Sequence, residues 1–274
     1  KRIAVVGMGF LGKAMVEMLR PQYEVDEIDV DTVNGDVADE WARISVANHS
    51  YLVILCLPTP MVENGKEFKT ADLSALEWWI DRLDPAVRIL IKSTIPPGTT
   101  ERWRESTRKR ICFSPEFGGE SKYWTSPWKY IHPSDFKSHP FMVIAGPDEE
   151  TAAIQQIFLK VLGPEKEFIL TPFIAEAEMM KYIVNSWGAM KVVIWNEYWE
   201  MCRTLGLNFH RVREMALKDP RLERMHTAVF EDKRGFGGKC FPKDTNALAA
   251  ALLAAGYEPK MLIAAIRKNV EIHQ

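Results

Sequence analysis

The chain has 274 residues, 47% apolar and 26% charged, a composition typical of a globular protein with one large or two modest domains. The net charge of −2 gives no reason to expect binding to nucleic acid or an anionic membrane surface, and no apolar run approaches the roughly 20 residues of a membrane span. The cysteines form no C-x-x-C pair, so we expect neither a metal site nor disulfides, and a cytoplasmic location.

A glycine-rich turn follows the first apolar run. Residues 3–6 predict a buried strand, and three glycines then follow in the pattern G-x-G-x-x-G before apolar residues at helical spacing. The first two glycines permit a tight turn against a pyrophosphate, and the third lets the helix pack on the strand. A chance turn is the alternative. The predicted phosphate-binding residues are Gly7, Gly9, Phe10, Leu11 and Gly12.

An acidic residue follows the second predicted strand, at residues 23–28. Asp29 at this place would hydrogen-bond the adenosine ribose and repel a 2′-phosphate. The predicted cofactor is therefore NAD rather than NADP. The alternative is a solvated turn carboxylate beside Asp31.

Further apolar runs at 51–57, 89–92, 111–113 and 141–144 alternate with helical stretches. This alternation predicts parallel βαβ units in an open, doubly wound sheet of the Rossmann type. Ligands bind beyond the carboxyl ends of such strands, where polar or proline-rich sequence follows here. Three residues fall at this edge, with ordinary turn formation as the alternative: Thr59, Thr94 and Glu116.

The second half predicts helices. Apolar spacing from about Ala175 to Leu205 indicates one long helix, which needs packing partners that a homodimer would supply. Lys181 and Asn185 share one face of it and could meet one ligand, although a solvated polar stripe has the same spacing. A short helix near residues 210–217 and two helices through residue 272 follow. We predict a nucleotide-binding domain at 1–172 and an all-helical dimerisation domain at 173–274.

A cysteine stands in the glycine-rich segment 234–244. Neighbouring cations raise the thiolate fraction of a cysteine, and Lys239 and Lys243 flank Cys240, with Asp244 four residues on. The segment predicts covalent catalysis by Cys240, and an inert small hydrophobic residue is the alternative. The charge run 231–234 predicts a solvated surface segment.

Six pieces in this order resemble the UDP-glucose/GDP-mannose dehydrogenase family. They are the glycine turn with Asp29, Leu57-Pro58-Thr59-Pro60, Ser93-Thr94-Ile95-Pro96-Pro97-Gly98, Ser114-Pro115-Glu116-Phe117, the helix from Ala175-Glu176 through Lys181, Asn185 and Asn196-Glu197, and Gly235-Phe236-Gly237-Gly238-Lys239-Cys240-Phe241-Pro242-Lys243-Asp244.

The resemblance implies an NAD-dependent four-electron oxidation of a nucleotide-sugar CH2OH to a carboxylate. A first hydride transfer gives an aldehyde, the Cys240 thiolate captures it as a thiohemiacetal, a second transfer gives a thioester, and water releases the acid. Lys181 and Asn185 would stabilise the substrate oxygen. Asp244 would position or activate water, and Glu116 and Thr94 would share the proton handling.

The resemblance also implies the contacts to cofactor and substrate. NAD would contact Thr59, Thr94, Glu120 and Lys243. The nucleotide sugar would contact Lys181, Asn185, Arg221, Phe236 and Gly237, with Arg221 reaching the substrate of a partner subunit.

The chain also departs from the family. We expect no counterpart of the family's third, UDP-binding domain, and Arg234 stands where relatives usually keep a small residue. The stretch between Glu116 and Val143 is longer than usual and rich in aromatic residues, namely Tyr123, Trp124, Trp128 and Tyr130. Two alternatives stay open. One is a two-electron hydroxyacid dehydrogenase, which leaves Cys240 without a role, and the other is a non-catalytic or partner-dependent NAD-binding module.

Overall fold

The computed structural model describes residues 1–63, 65, 67–118, 137 and 139–274. Glu120 and the aromatic loop residues lie outside this part of the chain. The described residues form two compact units, of which the first comprises 1–60, 72–118 and 137–181 and the second 61–71 and 182–274, less the exceptions just given. The predicted domain boundary at 172/173 stays a prediction, because packing places 173–181 with the first unit and 61–71 with the second.

The strands and helices alternate through the first unit. The strands are β1 (Arg2–Val6), β2 (Glu24–Ile28), β3 (Thr32–Val33), β4 (Asp36–Val37), β5 (Leu52–Leu55), β6 (Met61–Val62), β7 (Thr70–Ala71), β8 (Arg88–Ile91), β9 (Arg110–Phe113), β10 (Phe141–Ala145) and β11 (Glu167–Thr171). The helices are α1 (Phe10–Leu19), α2 (Glu40–Asn48), α3 (Ser74–Arg82), α4 (Thr99–Thr107), α5 (Asp148–Leu162), α6 (Ile174–Thr204), α7 (Phe209–Ala216), α8 (Phe241–Ala254) and α9 (Lys260–Ile272).

One sheet organises the first unit, with strand order β11-β10-β9-β8-β5-β1-β2-β3-β4. The five strands from β9 to β2 in that order are parallel neighbours. Successive residues of β1 alternate between the two cores: Ala4 and Val6 pack with α2, α3 and the start of α6, whereas Ile3 and Val5 pack with α1 and α5. Helices therefore cover both faces, which confirms the doubly wound α/β prediction and explains the nearly continuous apolar strands.

The sheet departs from the prediction at its two edges. The run at 141–144 forms a strand, but β10 is antiparallel to β9, so the sheet is mixed rather than wholly parallel. Beyond β2 the chain adds the unpredicted β3–β4 hairpin, whose turn holds Asn34 at φ +53° and Gly35 at φ +89°. Asn-Gly is the preferred pair for a two-residue hairpin turn, so the sequence contained this signal.

The second unit is helical apart from the β6–β7 hairpin. The predicted long helix is confirmed as α6, with 31 residues from Ile174 to Thr204. Two apolar clusters hold its second-unit portion, one joining Trp195 and Trp199 to Phe209, and the other joining Ala189 and Val193 to Phe236. These contacts connect α6 both to α7 and to the loop that precedes α8.

Apolar side chains also remain exposed along α6. They recur at intervals of three, four or seven residues and so follow one stripe of the helix, hereafter the apolar stripe. Its members are Ile183, Trp187, Ile194, Tyr198, Met201 and Leu205.

Candidate active site

The glycine turn after β1 has the backbone that a bound pyrophosphate requires. Gly7 has φ +93°, and a Cβ there would lie 2.6 Å from the carbonyl oxygen of Cys56. A Cβ on Gly12 would lie 1.8 Å from the carbonyl oxygen of Gly7, so only glycine lets α1 approach the turn. At Gly9, by contrast, a Cβ would meet nothing within 4 Å, and the space beside this backbone is open.

Phe10 and Leu11 begin α1, and Gly9 is its N-cap. A glycine cap has no side chain to accept the first amide protons of the helix, which a phosphate oxygen can accept instead. Asp29 follows β2, the strand beside β1, and is half-buried. Its Oδ1 accepts a hydrogen bond from the Val30 amide at 3.0 Å, and Oδ2 remains available for a ribose hydroxyl. The chain therefore presents groups that fit a dinucleotide.

Two loops at the same sheet edge are tied together. The Thr59 hydroxyl donates to the Thr94 carbonyl at 2.9 Å, and the Ser93 hydroxyl donates to the Leu57 carbonyl at 2.7 Å. Both loops follow parallel neighbours, β5 and β8. The structure thus places Thr59 and Thr94 together, next to the strand that carries the glycine turn.

Glu116 follows β9 at this edge and forms an ion pair that the sequence analysis did not predict. Its Oε2 lies 3.1 Å from the Nζ of Lys92, which is buried at the end of β8. Lys181 also belongs to this unit, and its Nζ lies 5.1 Å from the centre of the Phe117 ring, so a cation–π contact brings it beside the Glu116 loop.

A second buried carboxylate was missed. Glu178 accepts hydrogen bonds from the Gly98 amide at 2.5 Å and from the amide and hydroxyl of Thr100 at 2.9 and 2.6 Å. Burial raises the pKa of this carboxyl above its usual value, against the effect of these bonds. Glu178 thereby holds the start of α4 and the loop that carries Thr94. The sequence analysis named Glu176 in this helix, and the full burial of Glu178 on the first-unit side of α6 shows why the latter is the structural residue.

In the second unit, Cys240 is the N-cap of α8 and is exposed. The helix N-terminus favours the thiolate by its dipole, in addition to the lysines that the sequence analysis used. Asp244, in the first turn of α8, is only 1% exposed. It accepts hydrogen bonds from Asn185 Nδ2 and from Lys243 Nζ, each at 2.5 Å. The structure thus brings Asn185, Lys243 and Asp244 together at the helix end that carries Cys240.

Two asparagines grip the loop before Cys240. The Asn269 side chain accepts from the Phe236 amide at 2.7 Å and donates to its carbonyl at 3.0 Å, as a paired strand would. Asn196 accepts from the Gly235 amide at 3.2 Å. Phe236 is consequently buried, whereas a Cβ on Gly237 would meet nothing within 4 Å, so open space adjoins this glycine.

A tight contact on α6 sets the position of the ring next to Cys240. A Cβ on Gly188 would lie 2.7 Å from Cζ of Phe241 and 3.1 Å from the His226 ring. The sequence signal was the single glycine of a long helical run, which indicates a close neighbour.

The two arginines of the preceding loop behave differently. Arg221 is exposed and pairs with Asp219, which leaves its guanidinium at the surface. Arg234 was predicted to lie in a solvated charge run, and this was wrong. Its guanidinium lies 4.4 Å from the centre of the Trp199 ring and pairs with Glu200, because the arginine stem covers the apolar cluster beneath it.

No group of three or more His, Cys, Asp or Glu among the described residues is placed to hold a metal ion. None of the described helices combines the length and the apolarity needed to cross a membrane.

The sequence profile described as "UDP-glucose/GDP-mannose dehydrogenase family, central domain" matches residues 175–271. A UDP-glucose 6-dehydrogenase from Haloferax volcanii is 32% identical over 235 residues, covering 78% of this chain and 51% of that protein. A UDP-glucose 6-dehydrogenase from Streptococcus pneumoniae is 28% identical over 297 residues, covering 97% of this chain and 71% of that protein. The chain belongs to the UDP-glucose/GDP-mannose dehydrogenase family.

The fold agrees with this membership. The structure of a UDP-glucose dehydrogenase from Pyrobaculum islandicum superposes with a TM-score of 0.79 at 23% identity, covering 98% of this chain and 68% of that one. The Rossmann sheet followed by a helical domain is therefore the family's architecture. The match to the Haloferax relative spans about half the length of that protein.

The structure predicts selective alkylation of Cys240. Burial raises the pKa of Cys56 and of Cys112 to about 12, and Cys202 is buried, whereas Cys240 is exposed at a helix N-terminus. Iodoacetamide at about pH 8 should modify Cys240 at least ~10-fold faster than the other thiols. Peptide mass spectrometry after timed quenching measures the rates, and denatured protein serves as the control in which all four thiols react. Equal rates in the folded protein would contradict this account of the site.

Proposed function

We propose that this chain catalyses the NAD-dependent, four-electron oxidation of the CH2OH group of a nucleotide sugar to a carboxylate. The observation that carries the proposal is Cys240, an exposed thiol at the N-terminus of α8, one helical turn from a buried carboxylate that Lys243 and Asn185 hold. Family membership supports the reaction class.

The residues of the glycine turn and sheet edge fit NAD. Gly7, Gly9 and Gly12 would receive the pyrophosphate with the first amides of α1, at Phe10 and Leu11, and Asp29 would accept bonds from the adenosine ribose. NAD supplies a hydride acceptor when bound, and two molecules are consumed for each sugar. The remaining proposed cofactor contacts are Thr59, Thr94, Glu120 and Lys243.

Cys240 supplies the covalent step. Once the alcohol has lost a hydride and a proton, the thiolate adds to the aldehyde carbon, forming a C–S bond and an oxyanion. Loss of the second hydride leaves a thioester, and attack by water then breaks the C–S bond to release the acid and the thiol. Lys181 and Asn185 would stabilise the oxyanion by charge and by an N–H donor, an interaction typically worth about 3–4 kcal/mol for one donor.

Proton transfers fall to the carboxylates. Asp244, fixed on both oxygens, would orient Asn185 and the water that cleaves the thioester. Glu116 would accept protons with Thr94 as a hydrogen-bonding neighbour, a role typically worth about 10²–10⁴-fold in rate. Gly237 and Phe236 would form part of the sugar site, and the exposed Arg221 would reach the substrate of a second subunit.

We propose that a second copy of the chain covers the apolar stripe of α6. The stripe extends over more than five helical turns, and water contact of so many large apolar groups is unfavourable. A two-fold arrangement would bury the same stripe on both copies.

Charge placed in the stripe should dissociate the dimer. The double variant Ile183→Asp, Trp187→Asp should sediment as a monomer at micromolar concentration, because it would bury two carboxylates per copy without partners. Sedimentation velocity measures the state. The variant Trp41→Asp, which changes an exposed tryptophan of the first unit, should stay dimeric. A monomeric parent protein, or a dimeric stripe variant, would refute the proposed interface.

The reaction itself is tested by stoichiometry. Each molecule of UDP-glucose or GDP-mannose consumed should give two NADH, and Cys240→Ser should reduce complete oxidation by at least ~10³-fold because no thioester forms. Absorbance at 340 nm and chromatography of the acid product measure both, with Cys202→Ala as a control thiol variant. One NADH per substrate with unaffected Cys240→Ala would favour a hydroxyacid dehydrogenase. NAD binding by calorimetry without turnover on a panel of UDP- and GDP-sugars would favour a non-catalytic module.

A further inference from the structure

Lys92 is a lysine buried at the end of a central strand. Its side chain is 2% exposed, and its Nζ lies 3.1 Å from Glu116 Oε2, 3.2 Å from Ser114 Oγ and 3.5 Å from the Pro115 carbonyl oxygen. All three partners belong to the segment that follows the neighbouring strand β9. The ammonium group therefore faces this segment alone.

The same segment also holds the other oxygen of Glu116. Oε1 accepts hydrogen bonds from the Phe117 amide at 2.8 Å and the Gly118 amide at 3.2 Å. The carboxylate is thus bound at both oxygens, but only Lys92 sets the direction of Oε2. With 17% of its side chain exposed, Glu116 remains open to a small molecule.

The charged and titratable neighbours leave Lys92 as the group that compensates Glu116. Burial raises the pKa of Cys56 to about 12 and lowers the pKa of His139, so both are uncharged near neutral pH. Lys181 is directed to the Phe117 ring, and Lys166 donates to the His139 and Lys137 carbonyls. A cavity of about 20 Å³ borders Lys92, Glu116 and His139 beside apolar residues of α1 and α5, which is room for one water molecule.

Stability does not explain such a lysine. A buried ion pair pays a desolvation cost that its attraction hardly exceeds, and apolar replacement of both partners is often neutral or stabilising. We propose that Lys92 is a positioning residue for the reaction: its ammonium aims Oε2 of Glu116 and keeps that carboxylate ionised, so that Glu116 acts as a base towards substrate or water. The catalytic part of this inference rests on the proposed function, whereas the positional part does not.

A double-mutant cycle tests the catalytic part. Lys92→Met should lower kcat by about 10–100-fold, a part of the 10²–10⁴ that general base catalysis contributes, with both KM values within about threefold. If Lys92 acts through Glu116, Lys92→Met should cause no further loss in a Glu116→Gln background. Lys109→Met, which removes a part-buried lysine bonded to the Asp81 carbonyl, is the matched control and should leave kcat within about twofold. Independent, multiplying losses, or full activity of Glu116→Gln, would overturn the inference.

Crystal structures test the positional part without any turnover. Lys92→Met should leave the strand unchanged and rotate Oε2 of Glu116 by more than about 1 Å, and Lys92→Arg, which retains the charge in a different shape, should also displace it. An unmoved carboxylate in both variants would overturn the proposal. If the parent protein oxidises no nucleotide sugar, the proposed function fails, and this comparison still decides whether Lys92 positions Glu116.

Discussion

The chemistry of the second unit depends on the buried carboxylate of Asp244. Asn185 on α6 and Lys243 on α8 each donate to one of its oxygens, and its own amide bonds to the Cys240 carbonyl at 2.8 Å. Removing one partner of a buried ion pair typically costs about 3–5 kcal/mol, because an uncompensated charge remains. The contacts that satisfy Asp244 therefore also fix the first turn of α8, and with it the place of the Cys240 sulfur.

The first unit uses carboxylates in the same way. Glu178 closes the amides at the start of α4 and so supports the loop with Thr94, while Lys92 and two backbone amides hold Glu116. These groups stand where parallel strands end, the edge at which open α/β sheets bind ligands. The apolar strands provide a rigid base, and buried charges orient the polar loops above it. In both units, therefore, positions needed for chemistry are set by contacts that burial makes strict.

The sequence predicted those features that repeat or stand close together along the chain. The glycine turn, the apolar strands and the 31-residue α6 are of this kind, and so is the cysteine with its nearby lysines. Contacts between distant residues could not be found this way. Glu178 meets Thr100, 78 residues earlier, and the guanidinium of Arg234 reaches Glu200, 34 residues away. The reversal of β10 also left no periodic signal, since an apolar run has the same pattern in either direction.

The central claim is that Cys240 carries the sugar as a thioester during oxidation. Rapid acid quenching during turnover, followed by intact-mass and peptide mass spectrometry, tests it most directly. The account predicts a transient adduct on the Cys240 peptide, with the mass of the nucleotide sugar less four hydrogen atoms, that disappears as acid forms. Turnover to the acid with the Cys240 peptide unmodified at every quench time, or an adduct on another residue, would contradict it.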